Sequence, residues 1–168
     1  MGKRFDFIII GTGIAGLFYA LQVLKHKPNA RIAIVTKKAA ADSSTNRAQG
    51  GIAAVLSNTD SFELHIKDTL EAGAGLCNEE VVRRIVEAGP AVIQELIKYG
   101  VQFSAQDGDL DLTREGGHSV KRVVHAGDLT GKEIERALLN ACRSYKANIE
   151  IHRDSIALDL MTHESDGE

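Results

Sequence analysis

An α/β fold, a parallel sheet flanked by helices, is predicted by three observations. The apolar run Phe5-Asp6-Phe7-Ile8-Ile9-Ile10 feeds directly into Gly11-x-Gly13-x-x-Gly16. Behind the glycines, Ile14, Leu17, Phe18, Leu21 and Leu24 recur at helical spacing. A second apolar run, Arg31-Ile32-Ala33-Ile34-Val35-Thr36, closes a strand–helix–strand unit of about 30 residues.

The first strand is expected over residues 6–10, and its helix ends by Pro28. A small-residue loop, residues 37–51, follows the second strand. Asp60, with Glu63 three positions on, reads as a capping box opening a helix to about Ala72. Asn78 caps a further helix, expected to break at Gly89-Pro90 and resume to Tyr99. Residues 101–124 read as irregular with short strands. Thr130-Gly131-Lys132-Glu133 reads as a second capping box, opening a helix to about Tyr145. On that helix Lys132, Glu133, Glu135 and Arg136 read as a solvated face. Residues 148–152 are expected to form a third parallel strand, and residues 154–161 alternate like the first strand of a meander. Asp166-Gly167-Glu168 reads as a hairpin turn without its return strand, so the chain is expected to be the first piece of something longer.

Composition narrows the function classes. The chain has 168 residues, 43% of them hydrophobic, enough for one globular domain with a real core. A net charge of −3 suits neither a nucleic-acid binder nor an acidic tail. No apolar run approaches the roughly 18 residues of a membrane span. The N-terminus lacks a cleavable signal, so a cytoplasmic location is expected. Cys77 and Cys142 stand far apart without metal spacing and read as reduced thiols. His65 and Asp68 share a helix, and helix packing is expected there; no metal site is predicted.

Strand, glycine turn and helix N-terminus together would aim backbone N–H groups and the positive end of a helix dipole at a pyrophosphate. The unit therefore reads as a Rossmann-like dinucleotide site built on Gly11, Gly13 and Gly16. An NAD or FAD fingerprint normally carries an acidic residue about 20 positions past the last glycine. Thr36 stands there, followed by Lys37. That departure weakens an NAD-dehydrogenase reading. A Thr hydroxyl can still bond a ribose, and Lys37 suits the adenosine side or a phosphate, or belongs to a solvated loop. The loop Ser43-Ser44-Thr45-Asn46-Arg47-Ala48-Gln49-Gly50-Gly51 offers hydroxyls, an amide and paired glycines that would let a flat polar ring approach; from the residues alone a plain connecting loop is the simpler reading.

Gly11-Thr12-Gly13-Ile14-Ala15-Gly16-Leu17, Ala48-Gln49-Gly50-Gly51-Ile52, His65-x-x-Asp68-Thr69 and Gly100-Val101-x-Phe103 together resemble the succinate dehydrogenase and fumarate reductase flavoprotein family. Leu112-Thr113-Arg114-Glu115-Gly116-Gly117-His118-Ser119, followed by His125-Ala126-x-Asp128-x-Thr130-Gly131, is similar to the branch that oxidises L-aspartate. The resemblance runs over nearly the whole chain.

It implies the N-terminal portion of an FAD-binding domain over residues 1–168, with the capping and C-terminal helical domains absent. Thr12, Gly13, Ile14 and Ala15 would contact the pyrophosphate. Thr36 and Lys37 would lie by the adenosine side. Ser44, Thr45, Asn46, Arg47, Ala48, Gln49, Gly50 and Gly51 would line the flavin. The family's covalent flavin link uses a histidine where this chain has Ser44, so FAD is expected to be non-covalent. Glu115 replaces an apolar aromatic residue of the dicarboxylate reductases and would orient the α-amino group of L-aspartate; a surface loop charge is the other reading. His118 would bind a substrate carboxylate or poise the flavin; a loop histidine with a backbone partner is the other reading. Arg114 would serve the substrate or a structural ion pair.

The implied reaction is oxidation of L-aspartate to iminoaspartate, in the quinolinate branch of NAD biosynthesis. Oxygen or fumarate would be the electron acceptor, and product would pass to quinolinate synthase. The proton-transfer arginine would lie outside this chain, so the 168-residue piece alone is expected to be inactive. The alternatives are a fumarate reductase or succinate dehydrogenase-like flavoprotein and a non-catalytic nucleotide-binding module.

Overall fold

The computed structural model describes residues 3–161. β1 (Phe7–Ile10) leads into α1 (Ile14–His26) and β2 (Ile32–Val35). After a single 3-10 turn at Thr45–Arg47 come β3 (Ile52–Ala53), α2 (Phe62–Ala72) and α3 (Glu79–Lys98). Four two-residue strands follow: β4 (Ala105–Gln106), β5 (Asp109–Leu110), β6 (Leu112–Thr113) and β7 (Val123–Val124). The last elements are α4 (Thr130–Ser144) and β8 (Ile149–His152).

β1, β2 and β8 form the expected parallel sheet, with β2 in the middle. Phe7 pairs with Ile32, and Ile32 with Ile149, so all three strands run in step. The strands are short and β-branched, and crossover helices return each to the same end. α1 and α4 pack together and bury Leu17, Leu21, Leu24, Ile134 and Leu138 with Ile32 and Ile34. Among the described residues the other sheet face is bare at β1, where Ile8 and Ile10 are 69% and 72% exposed. β3, β7 and β6 make a small antiparallel sheet, and β4–β5 is a hairpin turning on Asp107-Gly108, both at positive φ. No helix among the described residues is long and apolar enough to cross a membrane.

Five expectations are corrected. First, α3 is one continuous helix through Gly89-Pro90. Proline removes one N–H there, but the helix is held on both sides by the buried Val86, Ile93 and Leu96. Gly89 packs closely on Ala54, where an added Cβ would lie 3.3 Å from the Ala54 Cβ. Second, Ser61 caps α2, accepting from the Leu64 amide, because the Asp60 carboxylate is committed to Arg122. Third, no side chain caps α4: Thr130 accepts from the Ala126 amide, and Glu133 turns to Arg136 and the Gln102 amide. Fourth, Glu135 is not on a solvated face but completely buried. Fifth, residues 154–161 form no strand; the Ser155 amide donates to the Thr36 carbonyl, and Leu158 and Leu160 are exposed. The expected turn at residues 166–168 lies outside the described residues.

Candidate functional site

The site begins where β1 ends. Gly11 has φ +103°, a conformation that strains any L side chain. Its carbonyl oxygen would lie 2.2 Å from a Cβ on Gly16, so the turn and the first helical turn touch backbone to backbone. Gly13 stands at the N-cap of α1 in extended conformation, without a side-chain cap. Thr45 supplies one partner from across the cleft: its Oγ1 accepts from the Ile14 amide at 3.0 Å. The amides of Thr12, Gly13, Ala15 and Gly16 donate to no acceptor among the described residues. Unsatisfied N–H groups at a helix start are the donor set an anionic phosphate requires.

A cleft of about 460 Å³ opens over this turn, lined by Gly11 to Gly13, Thr36, Lys37 and Ser43 to Thr45. Thr12 and Thr36 are buried and share a hydrogen bond of 3.2 Å, Thr12 donating, which ties the end of β1 to the end of β2. Lys37 is exposed at the rim. Arg47 pairs with Asp42 at 2.6 Å, which, with Lys38 alongside, holds the Asp42 carboxyl below the usual carboxylate range. A second depression of about 420 Å³ lies at the opposite end of β1, by Asp6 and Pro28, and has no glycine turn.

The loop over the cleft is seated on α4. The Gly131 amide donates to the Ala48 carbonyl at 3.1 Å. A Cβ on Gly131 would come 1.8 Å from the Thr45 carbonyl oxygen, so only glycine lets helix and loop meet. Ala48, Gln49 and Gly50 run on, exposed, beyond the cleft.

The loop after β6 reaches the same place. A Cβ on Gly50 would lie 3.5 Å from both Glu115 carboxylate oxygens. Glu115 and the glycine pair, 64 positions apart at their nearest (Gly51 to Glu115), are thus neighbours, and Glu115 is exposed. His118 does not stand with them. Its Nδ1 lies 3.2 Å from Arg122 Nη1, and its ring meets His65 edge-on at 5.6 Å. Since a guanidinium only donates, that Nδ1 is an acceptor and the His118 proton sits on Nε2. Burial, with the Arg122 charge, holds the His65 imidazole below its ordinary value. Arg114 makes no ion pair among the described residues.

Arg122 organises this second loop. It is fully buried, bonds Asp60 through Nε and Nη2, and reaches Asp68 through Nη1 at 2.6 Å. Asp68 also accepts from the amide and hydroxyl of Ser119. Burial pushes the Asp68 carboxyl up, but Ser119 and Arg122 outweigh it and bring it down to about 2. His65 and Asp68 therefore pack against the Glu115 loop and not only along their own helix. Sequence reasoning passed over Arg122, whose one signal was a charge set directly before the apolar pair Val123-Val124. Among the described residues no group of three or more His, Cys, Asp or Glu side chains could hold a metal ion.

Parallel sheet, glycine turn and an open helix N-terminus beneath a cleft define a Rossmann-like dinucleotide-binding domain. The family described as FAD binding domain matches residues 6–168, and the chain belongs to it. FAD is the cofactor, and the free amides over the Gly11–Gly16 turn fit its pyrophosphate.

The chain is similar to the L-aspartate oxidase 2-b, chloroplastic, of Nicotiana tabacum, at 52% identity over 95% of this chain and 24% of that protein. It is 45% identical to the L-aspartate oxidase of Acinetobacter baylyi, over 95% of this chain and 29% of that one. Among solved structures it is similar to a quinol-fumarate reductase with menaquinol molecules, with TM-score 0.90 and 33% identity, covering 95% of this chain and 28% of that chain. The fold is that of the FAD-binding domain of the succinate dehydrogenase and fumarate reductase flavoproteins. The chain spans about a quarter of the length of the first-named relative.

Proposed function

We propose that the protein oxidises L-aspartate to iminoaspartate with non-covalent FAD. The observation that carries this reading is the placement of the Glu115 carboxylate against Gly50, in the loop that would line the flavin. A carboxylate there accepts a charge-assisted hydrogen bond from an α-ammonium group, which succinate lacks. High identity to L-aspartate oxidases supports the same choice.

FAD, when bound, supplies the acceptor for the hydride leaving Cα, and the amino group gives up a proton to solvent as the C=N bond forms. The amides of Thr12, Gly13, Ala15 and Gly16 hold the pyrophosphate, with Lys37 at the adenosine side. Ser44 to Gly51 line the flavin, and Ser44 has no nitrogen with which to link it covalently. Glu115 fixes the substrate amino group, so that Cα faces the ring. His118, with its proton on Nε2, is bound to Arg122 through the other nitrogen and acts as a support for the Glu115 loop. Oxygen or fumarate regenerates the cofactor, and iminoaspartate goes on to quinolinate synthesis.

The test is peroxide formation from L-aspartate by the protein expressed from its whole reading frame. Turnover with L-aspartate but not succinate is expected. Glu115→Gln should lower kcat/KM for L-aspartate by about tenfold or more, the worth of one charge-assisted bond. Succinate turnover at a rate matching or exceeding that of L-aspartate would overturn the reading.

A further inference from the structure

Glu135 lies near the middle of α4 and has no exposed surface. The Ser43 hydroxyl donates to its Oε2, while its Oε1 has no partner among the described residues. Ser43 Oγ in turn accepts from the Asn46 amide at 3.2 Å. Between those two residues stands Thr45, whose hydroxyl takes the first amide of α1. One turn earlier on α4, Gly131 is pressed against the Thr45 carbonyl and bonded to Ala48. A single buried carboxyl therefore sits at the root of the turn that closes the cleft.

We propose that Glu135 is a positioning residue of the FAD site, holding the Ser43–Arg47 turn where Thr45 meets the start of α1. This rests on the reading that residues 44–51 line the cofactor, and is independent of which substrate is oxidised. A buried carboxyl whose Oε1 finds no partner among the described residues is costly to place, and water would have to enter to hydrate it. Burial pushes the Glu135 carboxyl up; Ser43 and the Asn46 amide pull it down, and the nearby Asp42 adds to the rise.

The charges around it do not neutralise it. Asp42, on the loop, is already paired with Arg47 and Lys38. On α4 itself Lys132 and Arg136 are exposed, and Glu133 is bonded to Arg136 and Gln102. α1 contributes no charged residue before Lys25. With the seated turn favouring the protonated acid, FAD affinity is full below the raised value and falls as pH climbs through it.

The experiment is FAD titration of the apo form of the protein expressed from its whole reading frame, followed by flavin fluorescence across a pH series. The wild type should bind progressively more weakly at the alkaline end. Glu135→Gln, neutral at every pH, should keep the wild type's low-pH affinity within about twofold and lose the weakening as pH rises. Glu135→Ala should weaken FAD binding about tenfold or more at every pH. Wild-type affinity in E135A, or E135Q binding as weakly as E135A, would overturn the proposal. If E135A does not fold, Ser43→Ala decides: a Kd raised about fivefold or more supports the proposal, and an unchanged Kd overturns it.

Discussion

Arg122 and Asp60 form a two-point ion pair, Nε to Oδ2 at 2.9 Å and Nη2 to Oδ1 at 2.8 Å, with neither side chain exposed. Asp60 comes from the loop before α2, and Arg122 directly precedes β7. The pair fastens the Glu115 loop to the body of the domain. Removing one partner leaves the other charge buried and alone. Arg122→Met should therefore destabilise the fold by about 3–5 kcal/mol, read from the midpoint of urea unfolding. A midpoint matching wild type would show that the pair is replaceable.

Asp68 makes a pH prediction. Its carboxyl is held at about 2 against an ordinary 3.8. A depressed acid contributes stability above its unfolded value and loses it as pH falls through the folded one. Wild type should lose stability between about pH 4 and pH 2 more steeply than Asp68→Asn does. The two proteins' acid-unfolding curves, compared directly, check this. Parallel curves would refute it.

The meeting of α4 with the cofactor loop is predicted to tolerate no methyl group. Gly131→Ala would set a Cβ 1.8 Å from the Thr45 carbonyl oxygen. Thr45 then moves off the Ile14 amide, and the pyrophosphate cradle opens. Bound FAD, measured by absorbance per protein, should fall well before helical content by circular dichroism does.

Ser44 predicts how the cofactor leaves. Acid precipitation of the holoprotein should release all flavin to the supernatant. Flavin retained in the pellet would point to a covalent link through another side chain.

Much of the fold was legible in residues 5–36. The run Ile8-Ile9-Ile10, the spaced glycines and Ile32–Val35 are local signals, and the sheet reproduces their order. The Asn78 cap and the third parallel strand were legible for the same reason. Three of the errors share one physical cause, which is that side chains with a good local use were claimed by distant partners. Asp60 could cap α2 but bonds Arg122, 62 positions away. Glu133 could complete a capping box but reaches Gln102 and Arg136. Glu135 falls on a helix rich in charge, and nothing local says that Ser43 covers it. In the site, the glycine turn and the Glu115 motif were readable, whereas the contact of Glu115 with Gly50 depends on how β6 and β3 meet through β7.

Under the proposed function the flavin takes electrons from an amino dicarboxylate. The direct measurement is the flavin absorbance of the FAD-loaded protein from its whole reading frame, mixed anaerobically with L-aspartate or with succinate. Bleaching by L-aspartate, slowed in Glu115→Gln, and none by succinate are expected. Bleaching by succinate alone, or by neither, would contradict it.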